Sequence, residues 1–238
     1  MSTGSGTPAA GSRNPAAEPA GPALSGRRAQ AARNDQVILA AAREVFLADP
    51  KAPIGAVAER AGVGISALYR RYPGKEDLLR QLCHDGLRHY VATARQAAEK
   101  PDGWQALVTF LDELVAADVH SLTVRLAGTF TPTAEMGADA VLANELAAAL
   151  VDRAHASGRL RPDVVVADVA FILEACAAIR LPDPIRTDEL RRRYLALLVD
   201  GMRDGDGPTL PGPAPAGDEM TWRWRRTGSG ADTPPPGN

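Results

Sequence analysis

Stretch after stretch of this chain places its apolar residues three and four apart, and none alternates with period two between turn signals. A chain patterned this way can bury its apolar side chains only along helical stripes, so it is restricted to helix-on-helix packing. The first such stripe is Ile38, Ala41, Ala42, Val45 and Phe46, on a helix that Asn34 or Asp35 can cap and that runs to about Ala48. Asp49-Pro50-Lys51-Ala52-Pro53 breaks it. A short helix is predicted over Ile54 to Ala61, burying Ile54, Val57, Ala58 and Ala61. Gly62 ends it where a left-handed turn costs least. A third helix covers about Ile65 to Tyr72, Pro73-Gly74 stops it, and a fourth starts near Lys75 and reaches toward Glu99.

Beyond Asp77 five or six helices are predicted, with stripes through 104–117, about 118–128, 134–156, about 163–180 and 187–203. The expected architecture is all-α: an N-terminal three-helix, helix-turn-helix DNA-binding head on an antiparallel helical bundle. The expected boundaries are 32–91 for the head, with its motif at about 53–72, and 92–203 for the bundle. Residues 1–31 and 204–238 are rich in Gly, Ala, Pro, Ser and Thr, cannot bury enough surface to offset their ordering entropy, and are expected to be disordered tails. The aromatic and basic run Trp222-Arg223-Trp224-Arg225-Arg226 lies in the second tail and has no assigned role.

Charge separates the two folded parts. The net charge is -2, yet residues 26–80 carry ten basic against six acidic side chains and residues 81–203 carry thirteen against seventeen. The head is the part suited to a polyanion. Cys83 and Cys176 sit inside apolar helical patterns, as reduced thiols of a cytoplasmic protein would. No apolar run is long enough to span a membrane, and the first residues lack the apolar core of an export signal. His84, His89, His120 and His155 form no i, i+4 pair, and no carboxylate–histidine set has metal-ligand spacing. With no phosphate loop and no nucleophile constellation, the expectation is a protein that is not an enzyme and needs no cofactor.

Val57-Ala58, Ala61-Gly62-Val63, Leu68-Tyr69, Tyr72, Lys75-Glu76 and Leu78-Leu79 resemble the DNA-binding head of the tetracycline-repressor (TetR) family over roughly residues 32–87. The resemblance implies a homodimeric transcriptional regulator, usually a repressor, released from a palindromic operator in double-stranded DNA by a small-molecule effector. It places the third helix in the major groove, with Gly64, Ile65, Ser66 and Ala67 at its opening. Ser66 can donate to phosphate or base, and Ile65 and Ala67 offer apolar contact to thymine methyls. Tyr69 and Lys75 match the family's phosphate-holding tyrosine and lysine, while Arg70 and Arg71 are candidates for base or phosphate contacts. Leu68 and Tyr72 are read as core. Arg27, Arg28 and Arg33 form either a basic arm or a solvated tail.

Three departures from the family pattern stand out: Gly64 where a hydroxyl N-cap is common, Pro53-Ile54-Gly55 at the start of the second helix, and Ser66-Ala67 in place of Gly-Thr. An effector pocket is expected among the middle helices, from Trp104, Phe110, Leu126, Phe130, Met136 and Phe171, with His120 or Arg125 as polar anchors. The resemblance also places dimerisation on the last two helices, where Val165, Val169, Ile172, Leu195 and Leu198 could serve or could face their own bundle, and Arg191-Arg192-Arg193 is read as a solvated face. A reading from another class stays open: a helical ligand- or redox-sensing interaction protein with no role in transcription.

Overall fold

The computed structural model describes residues 22–205, 207–216 and 219. Among them the chain forms nine α-helices and no strand: α1 Pro22–Ala48, α2 Ile54–Ala61, α3 Ile65–Arg71, α4 Lys75–Ala98, α5 Gly103–Ala116, α6 Val119–Leu126, α7 Ala134–Ala156, α8 Val166–Ala178 and α9 Pro184–Gly201. One isolated antiparallel bridge joins Leu160 to Arg203. The run at 222–226 lies outside the described residues.

The chain divides at Val37 into two compact units. In the first, α1 begins at Pro22, well before the predicted cap at Asn34 or Asp35 and inside the segment expected to be a disordered tail. A proline at the first helical position needs no N–H partner, and the alanines, glutamine and arginine that follow are good helix formers. Asn34 does not cap. Its side-chain oxygen accepts from Gln30 Nε2 at 2.9 Å, one turn back, and Arg33 Nη2 donates to Gln30 Oε1 at 2.7 Å. Arg33 is thereby an exposed rung of the helix surface, and the side chains of Arg27 and Arg28 lie outside the described residues.

In the second unit the helices close around two clusters. One joins Ile38, Ala42 and Phe46 of α1 to Val57 of α2, Leu68 of α3, Leu78 and Leu79 of α4, and Leu122 and Leu126 of α6. The other packs Trp104, Leu107, Phe110, Leu111 and Leu114 of α5 against Leu150 of α7, Leu173 and Cys176 of α8, and Leu195 of α9. Each fully buried leucine among these contributes about 1.5–3 kcal/mol. Helix α4 belongs to both: Leu78, Leu79 and Leu82 enter the first cluster, Ala94 and Ala97 the second. It runs without a break past residue 91, the boundary predicted between head and bundle.

Two local devices hold the bundle's far end. A Cβ on Gly103 would stand 2.2 Å from the carbonyl oxygen of Arg153, so the start of α5 meets the end of α7 at a distance only glycine allows. Arg153 then donates to the carbonyls of Ala98, at 2.7 Å, and Lys100, satisfying the end of α4. Asp102, Thr133 and Asp183 cap α5, α7 and α9, each accepting from a backbone N–H.

Part of the segment expected to be a disordered C-terminal tail is seated on the bundle. Arg161 grips Asp163 through Nε at 2.9 Å and Nη2 at 3.0 Å, and Nη2 also donates to the Pro208 carbonyl at 2.6 Å. The Leu210 N–H donates to Asp163 Oδ2 at 2.7 Å. These bonds hold the Asp163 carboxyl well below the usual carboxylate range, the Arg161 bond first among them. Proline-rich composition signalled a lack of core material and was silent on this polar seat.

Candidate DNA interface and effector cavity

The turn before α3 is made by Gly62, whose φ of 66° lies in the left-handed region. Its N–H returns to the carbonyls of Ala58 and Glu59, and Val63 N–H to Ala58 at 3.0 Å, closing α2. Gly64 precedes α3 in an extended conformation with no side-chain cap. The seven-residue helix is pinned from below by Leu68, fully buried, and by Tyr72 just past its end, 5% exposed. Ile65 at 43% and Tyr69 at 48% are exposed, as are Gly64, Ser66, Arg70 and Arg71, with Ala67 half-buried. Six of the eight residues predicted to meet DNA are therefore exposed on or beside α3, with Ala67 only partly so. Arg71 also leans over the Tyr72 ring, 5.9 Å from its centroid.

Lys75 is the eighth, and its ammonium also serves the fold. Its ammonium donates to the carbonyls of Pro50 at 2.8 Å and Ala52 at 2.7 Å, and lies 5.0 Å from the centroid of the Phe46 ring. Burial lowers its pKa, with the Asp49 charge opposing. Two of its three donors tie the α1–α2 loop to the start of α4, which leaves one for a phosphate.

A cavity of about 330 Å³ opens between α4, α6 and α7. Cys83, Gly86, Leu87 and Tyr90 line it from α4, Val119, His120 and Thr123 from α6, Pro132 from the loop, and Met136, Gly137, Ala140 and Ala143 from α7. Of the eight residues predicted for the pocket, His120 and Met136 are among them. Trp104 and Phe110 are fully buried in the bundle core, where Arg159 and Arg203 lie over the Trp104 indole and Tyr90 meets Phe110 edge to face at 5.0 Å. Leu126 and Phe130 belong to the core shared with α1–α4. Arg125 donates to the Ala48 carbonyl at 3.1 Å, and Phe171 is 37% exposed on α8. Large apolar residues fill space, whereas glycine and alanine leave it, so a search for bulk finds the core and misses the void.

Burial raises the Cys83 thiol to about 12 and also raises Cys176 and the Tyr90 phenol. A raised pKa lowers the thiolate fraction on which thiol reactivity depends.

Asp118 immediately precedes Val119 and His120, which line the cavity. It takes a left-handed φ of 50°, uncommon outside glycine, at the junction of α5 and α6. Its carboxylate pairs with Arg43 of α1 at 2.9 Å and Arg191 of α9 at 2.6 Å, and accepts from the Ser121 hydroxyl. Arg43 also donates to the Asp118 carbonyl at 2.5 Å. Arg191, predicted on a solvated face, is 3% exposed. Its remaining donors reach the carbonyls of Ile179 at 3.1 Å and Ala177 at 3.3 Å and the Ser121 oxygen at 3.1 Å, satisfying a buried guanidinium.

A second polar cluster clasps α4 to α7. His84 Nε2 and Asp139 Oδ2 are 2.8 Å apart, Arg88 pairs with Glu135 at 2.8 Å, and one donor atom each of His84, Glu135 and Asp139 lies within 4.8 Å of the others. These three could gather a cation. Each carboxylate already has its own partner, so the cluster needs none for charge balance. Sequence spacing hid it, because His84 and Asp139 are 55 residues apart.

On α8 and α9, Val169 and Leu195 are buried in their own bundle, which removes them as dimer contacts. The exposed apolar residues of this region are Phe171, Leu181, Ile185, Tyr194, Leu197 and Leu198. No helix among the described residues is long and apolar enough to cross a membrane.

A buried-anchor helix presenting hydroxyl, guanidinium and methyl groups outward after a glycine turn defines a helix-turn-helix DNA-binding protein. Residues 38–82 match the family model described as bacterial regulatory proteins, tetR family, and residues 102–204 match the model for the C-terminal domain of SbtR-like transcriptional regulators. Together they cover more than half of the chain, which belongs to the TetR family of DNA-binding transcriptional regulators. A TetR transcription regulatory protein from Mycobacterium vanbaalenii is similar at 26% identity, over 74% of this chain and 99% of that one, with a TM-score of 0.52. A TetR regulator from Streptomyces coelicolor shares 24% identity over 71% of this chain and 97% of that one, also at 0.52. PfmR, a TetR family regulator from Thermus thermophilus, shares 23% over 72% and 97%, at 0.54. No curated protein matched the sequence. The family's regulators bind DNA and small-molecule effectors, usually as dimers, and are generally not enzymes. The alternative of an interaction protein without a transcriptional role finds no support here.

Proposed function

We propose that the chain is a dimeric repressor that grips a palindromic operator through α3 and lets go when a small molecule enters the α4–α6–α7 cavity. The observation that carries the DNA half is the division of α3: Leu68 fully buried beneath, Ile65, Ser66, Tyr69 and Arg70 exposed above. In this reading Ser66 and Arg70 meet base edges or phosphates, Tyr69 and the third donor of Lys75 meet phosphates, and Ile65 with Ala67 meets thymine methyls. Gly64 lets the helix approach closely, and Arg71 divides its guanidinium between the Tyr72 ring and the backbone of DNA.

Exposed Phe171, Tyr194, Leu197 and Leu198 support pairing through α8 and α9. Two copies would set two recognition helices about one DNA turn apart, the arrangement that reads a palindrome. The route from cavity to head runs through the first turn of α6. Val119 and His120 line the cavity, and the preceding Asp118 holds Arg43 of α1. An effector that shifts this turn pulls on Arg43, and it releases DNA to the extent that it binds the shifted state more tightly.

The test is a fluorescence-anisotropy titration against duplexes selected from random DNA, with scrambled duplexes beside them, at two salt concentrations. Selective binding that falls about tenfold or more in Arg70→Ala supports the reading. Equal affinity for selected and scrambled duplexes would overturn it.

A further inference from the structure

The cavity lining contains no lysine, arginine, aspartate or glutamate. On the same two helices the flanking charges already have partners: His84 lies against Asp139, and Arg88 pairs with Glu135 at 2.8 Å and with Asp85 at 3.9 Å. A ligand ion placed there would lose its hydration without gaining an opposite charge, a cost that neutral molecules do not meet. The hydrogen-bonding groups that remain are few: the Tyr90 phenol, the Thr123 hydroxyl, the His120 imidazole and the Cys83 thiol. Burial keeps the phenol and the thiol protonated, so they act as neutral donors and not as anions. A Cβ added at Gly137, an exposed lining position on α7, would meet no atom within 4 Å, so the wall is open there.

We infer that the effector is an uncharged, mostly apolar molecule carrying one or two oxygen atoms for Tyr90 and Thr123. This rests on the reading of the cavity as the effector site. A volume of about 330 Å³ falls at the lower end of the roughly 300–1,000 Å³ of small-molecule pockets, which suits a compact ligand. Its affinity comes from displacing water along apolar walls, and its orientation from the few donors. Fatty acids, acyl-CoA thioesters and quaternary ammonium compounds fall outside this class.

The test uses the full chain and the neutral fluorophore N-phenyl-1-naphthylamine, displaced by three octyl compounds below their micellar concentrations: methyl octanoate, octanoate and octylammonium. The expected result is saturable binding of the fluorophore, displacement by the ester at a concentration at least tenfold below that of either ion, and at least tenfold weaker fluorophore binding in Ala140→Phe. Gly137→Leu narrows the cavity from a second position and should weaken binding in the same direction, with circular dichroism checking that both variants are folded. Displacement by either ion at the ester's concentration would overturn the inferred class. Unchanged fluorophore binding in both folded variants would overturn the site itself. DNA anisotropy on the same samples reads the regulator proposal separately: a chain that prefers the ester but shows no selective DNA binding refutes the regulator and leaves the ligand class standing.

Discussion

The head and the bundle use the same kind of helix for opposite purposes. In the head, six of the eight residues expected to act are exposed, on or beside a helix fixed by Leu68 and Tyr72 beneath it. In the bundle, the chemistry lies between helices: a cavity walled by α4, α6 and α7, and an ion network in which α1 and α9 meet at Asp118. A surface site of the first kind can change its residues without disturbing what supports it. A site of the second kind is part of the packing, so altering it changes stability as well as function.

The largest effects should come from the bundle. Trp104→Ala removes a fully buried indole flanked by Arg159 and Arg203 and should cost about 3–5 kcal/mol in urea unfolding. Calorimetry of the same variant should still show one transition, because α4 contributes to both cores. Two separated transitions would mean that head and bundle melt independently. Arg191→Ala strips Asp118 of one of its two guanidinium partners and should cost about 2–4 kcal/mol, somewhat under a fully unpaired buried charge because Arg43 stays. A loss below about 0.5 kcal/mol would place this network with ordinary surface ion pairs.

Arg70→Ala should leave the unfolding midpoint unchanged and weaken binding to a selected duplex by about 1–3 kcal/mol. Lys75→Ala sharpens the contrast, since its ammonium serves the fold as well. It should lower the midpoint in urea, by about 1–2 kcal/mol for two lost carbonyl bonds, while also weakening DNA binding. A pure loss of DNA affinity in Lys75→Ala would return that residue to the outward class. The smallest effect is chemical: with Cys83 raised to about 12, about one thiol in ten thousand is ionised at pH 8. A thiol-specific disulfide reagent should therefore leave the native chain unlabelled while the denatured chain takes up two equivalents. Rapid labelling of the native protein would revive a redox role.

Much of the head was legible in the sequence because its signals are local. Gly62, Pro73-Gly74 and the spacing of Ile54, Val57 and Leu68 place the turn, the stop and the buried side within a few residues of one another, and α2 occupies the predicted range. The start of α1 was not legible, because Asn34 is equally suited to cap a helix or to sit inside one with Gln30 as its partner. In the bundle, periodicity located α5 and α7 to within a residue or two, yet only two of the eight residues expected to line a pocket, His120 and Met136, line the α4–α6–α7 cavity. Trp104, Phe110, Leu126 and Phe130 are apolar at the right spacing, and that spacing marks what is buried, not where packing stops short.

The sequence by itself determined the class of molecule: an all-helical chain with a basic, glycine-turned head, since helix periodicity, turn chemistry and charge act over one or two turns of chain. Tertiary structure alone decided the rest. It assigned Lys75 to the loop carbonyls, joined Asp118 to Arg191 across 73 residues of sequence, matched His84 to Asp139 across 55, and opened a cavity at Gly86, Gly137 and Ala140. The physical reason is that an ion pair or a void depends on which helix faces come together, and that follows from packing the whole chain at once.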